Sequence, residues 1–149
     1  MKKTYITNSV LETQKIAKQL ARHFLKDKKS RKAKVLGLEG DLGGGKTTFL
    51  QGFARGLGIR AKILSPTFVI LKKFKINHKR FNSFYHIDCY RIKKAKEISE
   101  IGFKKIINDS KNIIAVEWAD KIRKILPKNK IILKFKFIDK NTREIQIYI

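Results

Sequence analysis

Acidic residues are scarce in this chain: 12 Asp and Glu stand against 36 Lys and Arg in 149 residues, a formal net charge of +24. Cysteine occurs once, at Cys89, which excludes an internal disulfide and any metal centre built from cysteines. Proline occurs twice, at Pro66 and Pro127, and no Pro/Gly/Ser-rich run marks a linker, so residues 1–149 read as a single domain. No apolar run approaches the ~18–20 residues of a membrane span. The basic start at Met1, Lys2 and Lys3 has no apolar stretch behind it of the kind a secretory leader needs. These absences lead to the expectation of one cytoplasmic domain without a membrane attachment. Hydrophobic residues make up 42% of the chain, enough to build a core, so wholesale disorder is excluded.

The positive charge suggests a phosphate-binding surface, but its make-up argues for caution about that step. It comes from 28 Lys and only 8 Arg, in company with 22 Ile. The arginine fork is the specific reader of phosphates and bases, whereas lysine is a diffuse point charge. A Lys/Ile/Asn-rich chain is also what A+T-rich coding writes into any protein. The charge is read first as composition and second as a basic surface. Lys alternating with aromatics at Lys73, Phe74 and Lys75, and at Lys134, Phe135 and Lys136, fits amphipathic strands with solvated lysines better than a nucleic-acid stripe.

Residues 9–12 have the Ser-x-x-Glu form of a capping box, and Ile16, Leu20 and Phe24 continue an apolar helical face behind it. A basic loop at 26–34 leads to a short apolar strand at 35–39 and then to a glycine-rich run at 40–45. Leu50, Phe53, Ala54 and Leu57 mark a second helix that Gly58 stops. Strands are expected at 68–74 and 83–88, one or two short helices at 97–107 broken at Gly102, a buried strand at 113–116 and a helix at 118–126. Period-two alternation from Ile131 to Phe137 and again from Ile145 to Ile149 flanks a turn at 139–142, giving a C-terminal hairpin. The sum is an α/β fold whose mixed sheet is parallel in its centre and antiparallel at one edge.

The sharpest feature is Gly40-Asp41-Leu42-Gly43-Gly44-Gly45-Lys46-Thr47, which fits G-x-x-x-x-G-K-[ST] between a strand and an amphipathic helix. Glycines let successive backbone N–H groups turn inward around phosphate oxygens. Lys46 adds a charge for the β- and γ-phosphates, Thr47 a hydroxyl for Mg²⁺, and the helix start its partial positive charge. Asp41, Gly43, Gly44, Gly45, Lys46, Thr47 and Thr48 are therefore the expected nucleotide-binding residues, in a three-layer fold of the P-loop NTPase kind.

Such a loop calls for a carboxylate at a neighbouring strand end, and Glu117 follows four apolar residues where Asp is commoner. Glu117 would bind Mg²⁺ directly, bind it through water, or orient the attacking water. Trp118 is either core filler or an exposed contact surface. Ser65-Pro66-Thr67 forms a rigid turn that offers the Thr67 hydroxyl to metal or γ-phosphate, as a switch loop does. His86 and Asp88 are two apart, hence on one face of a strand. Asp88 either orients a water or caps the strand and pairs with Arg91, and His86 reads as a packed core histidine rather than a catalyst. Cys89 lies beside a carboxylate, which raises a thiol pKa, so a nucleophilic role is not expected.

In this order the strings Gly40 to Phe49, Ser65 to Phe68, His86-Ile87-Asp88-Cys89-Tyr90-Arg91, Glu97 to Phe103 and Val116-Glu117-Trp118 resemble the TsaE (YjeE) family. That family comprises small P-loop ATPases of bacterial tRNA threonylcarbamoyladenosine synthesis. The glycine-rich loop is shared by many families; the Ser-Pro-Thr, His-x-Asp-x-Tyr-Arg and Glu-Trp set is far more specific. The resemblance implies that ATP and Mg²⁺ are bound, with Lys46 on the phosphates, Thr47 and Glu117 as metal ligands, and Thr67 and Asp88 in switch-like segments. Lys46, Glu117, Asp88 and Thr67 would form the catalytic set, and the adenine would lie near residues 8–13. It also implies partnership with a TsaB–TsaD heterodimer, TsaD in particular. The tRNA, modified at position 37 when it decodes ANN codons, would be reached indirectly or by direct contact. Little ATPase activity is expected of the chain alone, since no Arg-rich lid is evident and an arginine finger is worth about 10³–10⁵ in rate; a partner or Arg91 would supply it. Gly44 stands where the family often has Ala, and Cys89 where Leu is frequent. A small-molecule kinase is disfavoured because little chain follows Thr47 for an acceptor domain, and a GTPase because no Asn-Lys-x-Asp signature occurs.

Overall fold

The computed structural model describes residues 1–27, 30–41, 43–64 and 70–149. Along them run β1 (Lys2–Thr7), α1 (Val10–Lys26), β2 (Lys34–Glu39), α2 (Lys46–Gly56), β3 (Leu71–Lys75), β4 (Ser83–Asp88), α3 (Lys96–Ser99), α4 (Phe103–Ile107), β5 (Asn112–Glu117), a 3₁₀ helix (Ala119–Ile125), β6 (Ile131–Phe137) and β7 (Arg143–Tyr148). The strands form one seven-stranded sheet in the order β1-β7-β6-β2-β5-β4-β3. Its centre is parallel, β6, β2, β5 and β4 pairing in one direction. β2 and β5 are buried at every position, as short apolar runs should be when both sheet faces are covered.

The two faces carry separate cores. Leu36, Leu38, Phe49, Leu50, Phe53 and Phe84 lie in the core beneath α1 and α2. Val35, Ile87, Ile98, Phe103, Ile114, Val116 and Ile122 fill the other, beneath α3, α4 and the 3₁₀ helix. α1 and α2 approach at van der Waals range because α2 has no side chain at two positions. A Cβ on Gly52 would sit 2.6 Å from the Gln14 Cα, and one on Gly56 2.6 Å from the Ala21 Cβ. The capping box at the start of α1 forms: the Glu12 N–H donates to Ser9 Oγ at 3.1 Å, and the Glu12 carboxylate accepts from the Asn8 N–H at 2.6 Å.

Three expectations change. The sheet is antiparallel at both edges rather than one, since β3 pairs antiparallel with β4 at the edge opposite the β6–β7 hairpin. β1 was not foreseen: Lys2–Thr7 shows no apolar alternation, because it is a largely exposed edge strand specified by its antiparallel partner β7. The 118–126 helix is a 3₁₀ turn kinked at Ile122, and Trp118 stands outside it in the left-handed region at φ 58°. The expected strand at 68–74 starts at Leu71 within the described residues; Phe68 and Val69 lie outside them. Among the described residues no helix is long and apolar enough to cross a membrane.

Candidate functional site

Three parallel strands, β2, β5 and β4, end side by side, and their ends gather the candidate residues. β2 runs straight into the glycine-rich loop, and α2 begins at Lys46. Gly40, at φ 134°, has room for no side chain: a Cβ would meet the Phe135 carbonyl oxygen at 2.5 Å. Gly43 and Gly45 also have positive φ, 78° and 97°, the last as the residue capping α2. The loop thus turns tightly onto the N-terminus of a helix, where backbone N–H groups and the helix dipole favour an anion. Gly44 is buried, with its Cβ position 3.1 Å from the Asp41 carbonyl. Thr47 and Thr48 are half-buried on the first turn of α2, and Asp41 is exposed. Leu42 lies outside the described residues, as does Thr67 with the Ser65-Pro66 turn.

Lys46 is only 5% exposed. Its ammonium donates to the carbonyls of Gly40 and, at 2.8 Å, Asp41, and lies 4.6 Å from the centroid of the Trp118 ring. Burial pushes its pKa down, and the negative charges of Glu117, Asp41 and Asp88 partly restore it. Trp118 is half-buried, with its ring 5.2 Å from that of Tyr90. It is thus neither fully core filler nor an exposed surface: it packs partly buried against the second core and lies under the Lys46 ammonium.

Glu117 and Asp88 are register partners at the ends of β5 and β4, so their side chains project at the same level. Glu117 is 3% exposed, and its Oε2 lies 2.7 Å from His86 Nε2. Asp88 is half-buried; its Oδ1 accepts the Tyr90 N–H at 2.9 Å, and burial pushes its pKa up against that bond, with the Glu117 charge adding to the rise. The strand-end cap is thus made through the Tyr90 N–H. Cys89 is buried, and burial with the Asp88 charge pushes its thiol up to about 12, in keeping with an inert role.

Two contributions come from distant sequence and were not anticipated. Arg123 of the 3₁₀ helix reaches Glu39, the last residue of β2, with its Nε at 3.2 Å, and so ties that helix to the strand that feeds the loop. Arg143, at the start of β7, lies against Gly45 with its Cγ, Cδ and Nε 3.5 Å from where a Cβ would stand. Its guanidinium donates to the Asp139 carbonyl at 2.6 Å and stacks 5.2 Å over Phe137. A small cleft of about 70 Å³ opens here between the start of α1 (Ser9, Val10, Thr13), the loop (Gly45, Thr48) and the hairpin turn (Lys140, Asn141, Arg143). The only signal for Arg143 in the sequence was a single arginine beside the 139–142 turn, and nothing local linked it to Gly45 about a hundred residues away.

Comparison with known proteins gives the family of the chain. Residues 7–145 match the family model described as threonylcarbamoyl adenosine biosynthesis protein TsaE. The chain is 37% identical over 137 residues to the tRNA threonylcarbamoyladenosine biosynthesis protein TsaE of Rickettsia typhi, covering 91% of this chain and 88% of that one. It is 40% identical over 111 residues to its Bacillus subtilis namesake, covering 74% and 66%. The crystal structure of Bacillus subtilis YdiB superposes with a TM-score of 0.70 at 32% identity, over 99% of this chain and 84% of that one. With a family model matched along nearly its whole length, the chain belongs to the TsaE family, whose members are named for threonylcarbamoyladenosine biosynthesis on tRNA.

Proposed function

We propose that this protein binds ATP with Mg²⁺ at the loop from Gly40 to Thr47 and hydrolyses it in the cytoplasm, in support of threonylcarbamoyladenosine formation at position 37 of ANN-decoding tRNAs. Its fold is read as one P-loop NTPase domain, acting with a TsaB–TsaD heterodimer and reaching tRNA chiefly through that pair. One observation carries the reading: a glycine-rich loop between a buried parallel strand and a helix sets Lys46 within electrostatic reach of Glu117 and Asp88 on two adjoining strand ends.

In this reading the amides of Asp41 and of Gly43 to Thr48, with the Lys46 ammonium, hold the β- and γ-phosphates. Lys46 leaves the Gly40 and Asp41 carbonyls to do so, exchanging neutral acceptors for a charged one. The donor set fits Mg²⁺, since a Thr47 hydroxyl and a Glu117 carboxylate are hard oxygen ligands. When bound, the ion neutralises charge on the phosphate oxygens. Asp88 orients the attacking water, Thr67 offers its hydroxyl as the resemblance to the family implies, and the Trp118 ring excludes bulk water above Lys46. The cleft beside residues 9–13 supports an adenine position there, with Arg143 as its wall. The Arg143 guanidinium is engaged by backbone carbonyls of the hairpin, and a partner or Arg91 is left to supply the cation at the γ-phosphate. The chain does not itself transfer the threonylcarbamoyl group.

The test is ATP turnover by the purified chain, alone and with a TsaB–TsaD heterodimer. Turnover alone should be far below the ~1–100 s⁻¹ of kinases and rise on adding the pair. Lys46→Ala should abolish ATP binding or turnover; Glu117→Ala should cost hydrolysis at least about a hundred-fold while sparing binding of the nucleotide without metal, by analogy with loss of a single transition-state contact. Brisk turnover indifferent to the pair, or an active Glu117→Ala protein, would overturn the reading.

A further inference from the structure

Resting on the reading of Glu117 as the metal-side carboxylate, we propose that His86 is a positioning residue that fixes which oxygen of Glu117 is presented to the metal.

The contact is built into two rigid strands. β4 and β5 run parallel with His86 opposite Ala115, so Glu117, two residues on, lies diagonally ahead of His86 on the same face of the sheet. His86 is 1% exposed and Glu117 3%, and the Nε2 to Oε2 distance is 2.7 Å. Among the described residues, the other ring nitrogen, Nδ1, is buried with no hydrogen-bond partner. A proton there would be a buried donor with nowhere to go. The geometry therefore selects the tautomer with its proton on Nε2, and His86 donates that proton's bond to Glu117.

A core histidine satisfied merely for packing does not need a carboxylate; a carbonyl serves as well. Here the bond ties down one of two otherwise equivalent oxygens of a group whose charge also acts on Lys46. Without His86 the buried carboxylate is short of a donor, and Lys46 is the nearby cation to which it would turn. That ion pair would withdraw carboxylate from metal and lysine from phosphate together. Carboxylates that ligate metals are commonly held by such an outer hydrogen bond, and its loss typically costs 10–100-fold in metal affinity.

The experiment measures binding of a fluorescent ADP analogue to the full chain in EDTA and along a Mg²⁺ titration, for wild type, His86→Leu, His86→Gln and His86→Asn. A glutamine places an amide N–H near the Nε2 position, whereas asparagine is too short to reach Oε2. His86→Leu and His86→Asn should raise the Mg²⁺ concentration for half-maximal effect by about ten-fold or more while affinity in EDTA stays within about two-fold of wild type; His86→Gln should restore most of the loss. If His86→Leu fails to fold, the Gln and Asn pair decides alone. Unchanged Mg²⁺ dependence in the Asn variant, or equal loss with and without Mg²⁺ that Gln does not rescue, would overturn the assignment. A wild-type chain whose nucleotide binding ignores Mg²⁺ would instead sink the metal-site reading on which it rests.

Discussion

Asp88 shows how a single side chain can be tuned by its place at a strand end. Burial raises its pKa in the folded protein above that of the unfolded chain. The folded state therefore binds this proton more tightly. Stability from the group is fully present below the unfolded value, near 3.9, and is lost as pH rises through the raised folded value. Asp88→Asn removes the ionisation and keeps an oxygen for the Tyr90 N–H. The variant should gain melting temperature relative to wild type at pH 7 and lose that advantage at pH 4, as read by thermal unfolding at the two pH values. A constant difference would show that burial of the charge is not what shifts the group. Lys46, Thr47, Asp88 and Glu117 were legible in the sequence as candidates because they stand in short local strings. Arg143 and Arg123 were not, because sheet register and a tertiary ion pair, not local spacing, bring them to the loop. His86 was legible as buried, but its partner was not, since Glu117 meets it across two strands 31 positions apart.

At the level of elements, the starts of α1 and α2 form two of the three sides of the candidate nucleotide cleft, and glycines set the separation of the two helices. Gly52→Ala would drive a methyl into the Gln14 backbone, with 2.7 Å to its carbonyl oxygen and 2.6 Å to its Cα. Backbone cannot swing aside as a side chain can, so about 1–3 kcal/mol of destabilisation is expected, despite the gain in helix propensity. A urea titration should show a lower midpoint with an unchanged slope, and a midpoint at or above wild type would show that the helices part without cost. Ser9 and Thr13 ride on α1, so the same change should also weaken nucleotide binding. The helices and central strands were readable because apolar periodicity records burial. β1 was not, since an exposed edge strand needs no such pattern, and the kinked 3₁₀ segment was not, since the left-handed backbone at Trp118 is imposed by its surroundings.

Across the whole molecule the surplus of positive charge is poorly compensated. Among the described residues the side-chain ion pairs between lysine or arginine and a carboxylate are Lys34 with Asp27 and Arg123 with Glu39, against a net charge of +24. Self-repulsion of this size disfavours the compact state, and salt screens it over a Debye length of about 10 Å at 0.1 M. Thermal melts in NaCl from about 20 to 300 mM should therefore climb by a few degrees and then level off. A melting temperature indifferent to NaCl would mean that the lysines are already spaced beyond harmful repulsion.

The pairing of β1 with β7 sets an order of events. Lys2 is matched with Tyr148 and Thr7 with Arg143, so β1 is synthesised long before the partner it pairs with. Translation at about 5–20 residues per second leaves β1 waiting for several seconds or more while the centre of the sheet is already able to assemble. Ser9 and Arg143, on opposite sides of the cleft, come together only when that edge closes. The central parallel strands can thus form early, whereas the cleft between α1 and the hairpin turn matures only after β7 has been made.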